Sequence, residues 1–236
     1  MAQYIDVLNH EFRLTRGSCA LLVVDMQYAS GSRRHGLGKW LADQGKLADA
    51  DYRFDRIETV VVPGIQRLLE AFRSAGETVI FLTLGARLPD YSDAPPHMRA
   101  FLSTLNNHAG TREHEILDEL KPLAGELVLN KTTQGGFASS PLDSVLRAKG
   151  LTQIVAVGVS TNNCVETTAR EASDRGFESV MVSDATGTCS DEMQDMTLGA
   201  FTRLWGRVLS VEEVVGELDL TAAAPGSAGS VAAIVA

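Results

Sequence analysis

Ile154-Val155-Ala156-Val157-Gly158-Val159-Ser160-Thr161-Asn162-Asn163-Cys164-Val165-Glu166-Thr167-Thr168-Ala169-Arg170-Glu171-Ala172 is the stretch on which the fold turns. Its opening run from Ile154 to Val159 is unbroken and apolar, the pattern of a strand buried on both faces. The polar tetrad Ser160-Thr161-Asn162-Asn163 makes a tight turn. A helix-like segment begins at Cys164. A thiol at a helix N-terminus meets unpaired backbone N–H groups and the positive end of the helix dipole. Both favour the thiolate and lower the thiol pKa. The same N–H groups, those of Ser160 and Cys164, suit an oxyanion formed when the sulfur attacks a carbonyl.

Outward from this segment, apolar runs alternate with amphipathic ones. Strands are expected at residues 20–25, 78–83, 126–129, 153–159, 179–183 and 207–211. Helices are expected at 63–74, 112–120, 141–148, 163–174 and 191–204. Such alternation signals an α/β fold, a parallel sheet covered on both faces. Gly76, Gly150 and Gly176 stand where helices give way to strands. Pro63 and Pro141 stand at helix starts. Residues 29–55 and 85–110 read as long irregular stretches, of the kind that form lids or binding loops.

The 236 residues include 44% hydrophobic ones, enough for a full core in one domain. The net charge is −9, with Lys and Arg scattered rather than striped, so no nucleic-acid surface is expected. No apolar run approaches membrane-spanning length. Met1-Ala2-Gln3-Tyr4-Ile5-Asp6 does not read as a signal peptide. Cys19, Cys164 and Cys189 are odd in number and far apart, which fits unpaired thiols and a cytoplasmic location rather than a disulfide framework or a zinc cluster.

In parallel α/β sheets, ligands bind beyond the carboxyl ends of the strands. Asp25 ends the first strand, Lys131 follows the third and Cys164 follows the fourth. A carboxylate, an ammonium and a thiol thus converge on one rim. Asp25 is a candidate base, Lys131 its charge partner and Cys164 the nucleophile. No histidine has a natural place in this set. Neither Gly135-Gly136 nor Gly158 stands in a phosphate-binding motif.

Val24-Asp25-Met26-Gln27, Asn130-Lys131 and the segment Gly158–Ala172 together resemble the signature segments of the isochorismatase-like cysteine hydrolases. The resemblance runs over about residues 16–218. It implies a three-layer α-β-α sandwich around a six-stranded parallel sheet, occupying residues 1–220 with an N-terminal arm at 1–17. Residues 221–236, rich in Ala and Gly, are expected to form a weakly ordered tail. The resemblance further implies an Asp25–Lys131–Cys164 triad, a cis peptide between Val159 and Ser160, no cofactor, and a homo-dimer or homo-tetramer.

Nicotinamidases of that family carry an Asp-x-His metal site after the second strand. Residues 83–93 here hold no Asp-x-His, so no metal is expected. Gly85-x-Arg87-x-x-Asp90-x-Ser92-Asp93 instead is similar to the loop of ureidoacrylate- and biuret-type amidohydrolases. The implied substrate is a small linear ureide or amide, with Gln27, Arg87, Gln134 and Phe137 as candidate contacts. An N-carbamoyl amino acid is an alternative substrate. Isochorismate hydrolysis does not require the Cys164 nucleophile, and a catalytically silent binding or assembly module would not require all three triad residue types.

Overall fold

The computed structural model describes residues 6–220, so the expected tail at 221–236 lies outside the described residues. The strands are β1 (Cys19–Val24), β2 (Thr78–Leu84), β3 (Leu127–Lys131), β4 (Gln153–Val159), β5 (Glu178–Gly187) and β6 (Arg207–Leu209). They form one parallel sheet in the order β3-β2-β1-β4-β5-β6. The helices are α1 (Tyr28–Gly31), α2 (Gly36–Asp43), α3 (Asp51–Arg56), α4 (Val62–Ala75), α5 (Pro96–Thr104), α6 (Leu142–Ala148), α7 (Glu166–Asp174), α8 (Asp191–Phe201) and α9 (Val211–Glu217).

The period of two along each strand divides the core into two layers. Leu21, Val23, Val155 and Val157 pack against Ile65, Leu68 and Phe72 of α4 and Val214 of α9. Ala20, Leu22, Ile154 and Ala156 pack against Leu146 of α6, Ala169 of α7 and Phe201 of α8. Both faces of the sheet are therefore covered, as the unbroken apolar strands require.

The strand order reverses between β1 and β4, so their carboxyl ends open a crevice. Here the backbones approach closely. Gly158 has φ +114, and a Cβ on it would lie 2.0 Å from the Val24 carbonyl oxygen. Only glycine fits that position without displacing β1.

Three expectations are corrected. Residues 112–120 form turns ending in a 3-10 turn at Asp118–Leu120 rather than a helix. Their backbone is committed to residues 26–29: Leu117 N donates to Met26 O (2.9 Å), while Tyr28 N and Ala29 N donate to Glu115 O (3.0 Å) and Glu113 O (2.7 Å). Residues 29–55 are largely helical, holding most of α1, all of α2 and most of α3, whereas residues 85–110 are irregular apart from α5. Finally, Pro63 does not start its helix. The chain is helical from Asp51 through α3, a π-helical turn at Ile57–Val61 and α4. The wider π turn just before Pro63 accommodates its ring and its missing N–H within a continuous helix.

Candidate active site

The carboxyl ends of β1, β3 and β4 bring the sequence-predicted triad together. Asp25 directly follows β1, and its amide donates to Leu82 O at 2.9 Å, prolonging the ladder with β2. Its φ of 53° lies in the left-handed region, uncommon for a residue with a Cβ. Lys131 lies in β3 itself, because β3 pairs with β2 as far as Leu84↔Lys131. Lys131 Nζ donates to Asp25 Oδ2 at 2.8 Å and to Thr133 O at 3.2 Å. The two side chains are 0% and 3% exposed. Cys164 is 6% exposed and lies in a π-helical turn, Thr161–Val165, that leads into α7. The helical run thus begins three residues before the thiol. The Val159–Ser160 peptide that precedes this turn is cis.

These residues face a cavity of about 280 Å³. Asp25, Cys164, Ser160, Val159, Gln134, Met98 and Phe101 are among the residues that line it. The buried side-chain atoms without a hydrogen-bond partner among the described residues are Asp25 Oδ1, Arg53 Nε, Asn107 Oδ1 and Ser179 Oγ. The first three belong to residues lining this cavity. Unpaired buried polar atoms are uncommon and costly, so their gathering here marks a site built for a polar ligand.

Burial raises the Asp25 pKa above the ordinary carboxylate range, against the opposing pull of the Lys131 ammonium and the Cys164 thiol. Burial lowers that of Lys131, but the Asp25 carboxylate and Cys164 outweigh it and leave Lys131 raised and protonated. The Cys164 thiol is pushed up to about 12, by burial first and then by the Asp25 carboxylate, with Lys131 opposing both. This corrects the expectation of a lowered thiol pKa: desolvation beside a carboxylate outweighs the helix N-terminus. At neutral pH the resting thiol keeps its proton. Cys189 is the exposed cysteine, whereas Cys19 and Cys164 are buried. Iodoacetamide at neutral pH is therefore expected to label Cys189 ahead of both, read by peptide mass spectrometry. Faster labelling of Cys164 would restore the expectation of a lowered thiol pKa.

The sequence-predicted contact residues divide. Gln134 lines the cavity, with Nε2 3.8 Å from Met98 Sδ. Its loop is held on α7, where Phe137 N donates to Glu171 Oε2 (2.9 Å) and Gly136 N donates to Thr168 Oγ1 (3.0 Å). Gln27 also lines the cavity, but both ends of its amide are engaged. Nε2 donates to Leu84 O and His114 O, and Oε1 accepts from Leu84 N. It shapes the wall rather than offering free groups. Arg87 lies outside the lining; its guanidinium donates to Ser139 O (2.7 Å) and Asn130 O (3.3 Å), joining two loops. Phe137 is also outside it, buried against Phe177 under the Arg175 guanidinium.

Sequence reasoning missed Arg53, Asn107 and His97, all in the lining. His97 comes from α5, within the stretch 85–110, and lines the cavity without a hydrogen bond to Asp25, Lys131 or Cys164. Among the described residues, no group of three or more His, Cys, Asp or Glu side chains is placed to hold a metal ion. No described helix is long and apolar enough to cross a membrane.

The isochorismatase domain family matches residues 19–213, a span that contains all six strands and Asp25, Lys131 and Cys164. The chain belongs to the isochorismatase family. This family member is 33% identical over 229 residues to the ureidoacrylate amidohydrolase RutB of Pseudomonas savastanoi pv. phaseolicola (strain 1448A / Race 6), covering 90% of this chain and 88% of the relative. Its fold matches a cysteine hydrolase from Pseudomonas syringae pv. phaseolicola 1448A with TM-score 0.74 and 25% identity, covering 89% of this chain and 96% of that one. It also matches N-carbamoylsarcosine amidase from Thermoplasma acidophilum with TM-score 0.60 and 27% identity, covering 83% and 97%. This isochorismatase-family chain is an enzyme, a hydrolase.

Proposed function

We propose that this hydrolase is a cysteine-dependent amidohydrolase that cleaves a C–N bond of a small linear ureide through a covalent intermediate. The observation that carries the reading is the buried Lys131–Asp25 pair, 2.8 Å apart, beside the Cys164 thiol at one cavity. The names of its relatives support the reaction class, since they act on ureidoacrylate and on N-carbamoylsarcosine.

In this mechanism Asp25 takes the thiol proton as Cys164 Sγ attacks the carbonyl carbon. The resulting oxyanion accepts hydrogen bonds from the backbone N–H groups of Ser160 and Cys164. The C–N bond then breaks, and Asp25 returns the proton to the departing nitrogen, which leaves as ammonia or an amine. Water, with Asp25 again as base, hydrolyses the thiol-bound acyl or carbamoyl group and restores the thiol. Lys131 stays protonated throughout and holds Asp25 Oδ2, leaving Oδ1 for the proton transfers.

A pH dependence follows. Asp25 works only when ionised, and its pKa is raised, so the inactive protonated form persists to higher pH than for an ordinary aspartate. The acid limb of kcat/KM is expected above ~4, the usual carboxylate value. No step is expected near ~8.5, where an unperturbed thiol ionises. A limb at or below ~4, or a rise centred near ~8.5, would contradict this assignment. The reaction class is tested by measuring ammonia release from biuret, triuret, ureidoacrylate, N-carbamoyl amino acids and nicotinamide. Turnover of nicotinamide alone would overturn the ureide reading.

A further inference from the structure

Arg53 is the unbalanced charge of the cavity. It is 6% exposed and lines the wall. Its Nη1 donates to Ser160 Oγ at 2.7 Å and its Nη2 to Ser30 O at 3.0 Å; Nε, though buried, has no partner. Several other arginines of the fold meet carboxylates, and Arg56, Arg87 and Arg99, which donate to backbone carbonyls, are less buried than Arg53. Arg33, nearby in sequence, is ringed by Asp51, Asp55 and Glu58, while Arg73 pairs with Glu126 and Arg207 with Glu217. Arg53 makes no such pair among the described residues. The Cys189 thiol is a further hydrogen-bond neighbour of the guanidinium, and the Cys164 thiol also acts on it. Asp25, the carboxylate in the lining, is held by Lys131. One guanidinium charge is therefore left without a counterion.

A buried guanidinium with unused donors is costly unless an anion arrives. A carboxylate is the anion that its planar fork fits best. We propose that Arg53 binds a carboxylate of the substrate, which makes the preferred substrate an N-carbamoyl or ureido carboxylic acid rather than a neutral ureide. This rests on the amidohydrolase reading and selects within it. The bond from Arg53 to Ser160 Oγ places that carboxylate on the side of the cavity next to the oxyanion donors. Binding energy gained there aligns the carbamoyl carbon with Cys164.

The test compares 3-ureidopropionate with its methyl ester, which keeps the scissile bond and loses the charge. The wild-type acid-to-ester ratio of kcat/KM, read by ammonia release, is expected to be ~10² or more. Arg53→Met is expected to lower that ratio by ~10²-fold, and Arg53→Lys to lower it less. An equal loss on both substrates would assign Arg53 to holding Ser160 and overturn the proposal; so would a wild-type preference for the ester. If Arg53→Met fails to fold, the wild-type ratio and Arg53→Lys still decide. If neither compound is hydrolysed, the amidohydrolase reading is what suffers. Calorimetric binding of 3-ureidopropionate to Cys164→Ala then tests Arg53 separately. Binding that is lost in Arg53→Met/Cys164→Ala supports the carboxylate site, and binding that survives, or is absent from Cys164→Ala, refutes it.

Discussion

Cys164→Ser is expected to lower ammonia release by ~10⁴-fold or more while leaving the fold intact, because removing one member of a concerted catalytic set costs nearly as much as removing the set. The substitution is almost isosteric, and the site is already walled by polar groups. Thermal unfolding should therefore shift little. What is lost is nucleophilicity. The sulfur is already hard to ionise here, with a pKa pushed up to about 12. A serine hydroxyl in the same place is much less acidic, and Asp25 is a weak base for it. In the wild type, rapid quenching and intact-mass spectrometry should catch the carbamoyl or acyl adduct on Cys164. Wild-type rates in Cys164→Ser, or an unmodified protein during turnover, would remove the covalent mechanism.

Lys131→Met is expected to carry the largest stability cost, about 3–5 kcal/mol at neutral pH, since it leaves a buried carboxylate without its cation. Lys131 and Asp25 are both fully buried, so solvent screening does little to soften this loss. The penalty should depend on pH in a defined sense. Burial already raises the Asp25 pKa, and removing Lys131 raises it further. The folded variant then holds its proton to higher pH than the unfolded chain does. Its deficit should shrink towards ~4, near the unfolded carboxylate pKa, and grow as pH rises towards the folded one. Urea unfolding across that range reads the effect. Asp25→Asn/Lys131→Met should recover much of the loss, giving a double-mutant cycle for the pair. A loss below ~1 kcal/mol at neutral pH would mean that the pair is far better solvated than its burial implies.

The proposed triad was legible because of a property of parallel sheets. All carboxyl ends leave the sheet at one rim, so residues just beyond separate strands are brought near one another whatever their distance in sequence. Asp25, Lys131 and Cys164 each end or follow an apolar run that is hard to misread. Arg53 was illegible for the opposite reason. A proline at position 63 ordinarily marks a helix start, and residues 29–55 before it read as an irregular stretch. A π-helical turn instead carries the helix through, and that extension delivers Arg53 to the cavity. Residues 112–120 erred the other way. Their local pattern favours a helix, but antiparallel pairing with residues 26–29 claims their backbone groups.

By itself, the sequence determined the α/β architecture, the family and the identity of the three residues at the strand ends. Periodicity and unbroken apolar runs are local signals, and local signals survive without coordinates. The tertiary structure alone decided the electrostatics. Whether the Cys164 thiol is lowered by its helix N-terminus or raised by burial beside Asp25 depends on depth and on neighbours far away in the chain. So does the net charge of the cavity, where Lys131 cancels Asp25 and Arg53 is left unmatched. Charge interactions act through space and through the exclusion of water, neither of which is written in the order of residues.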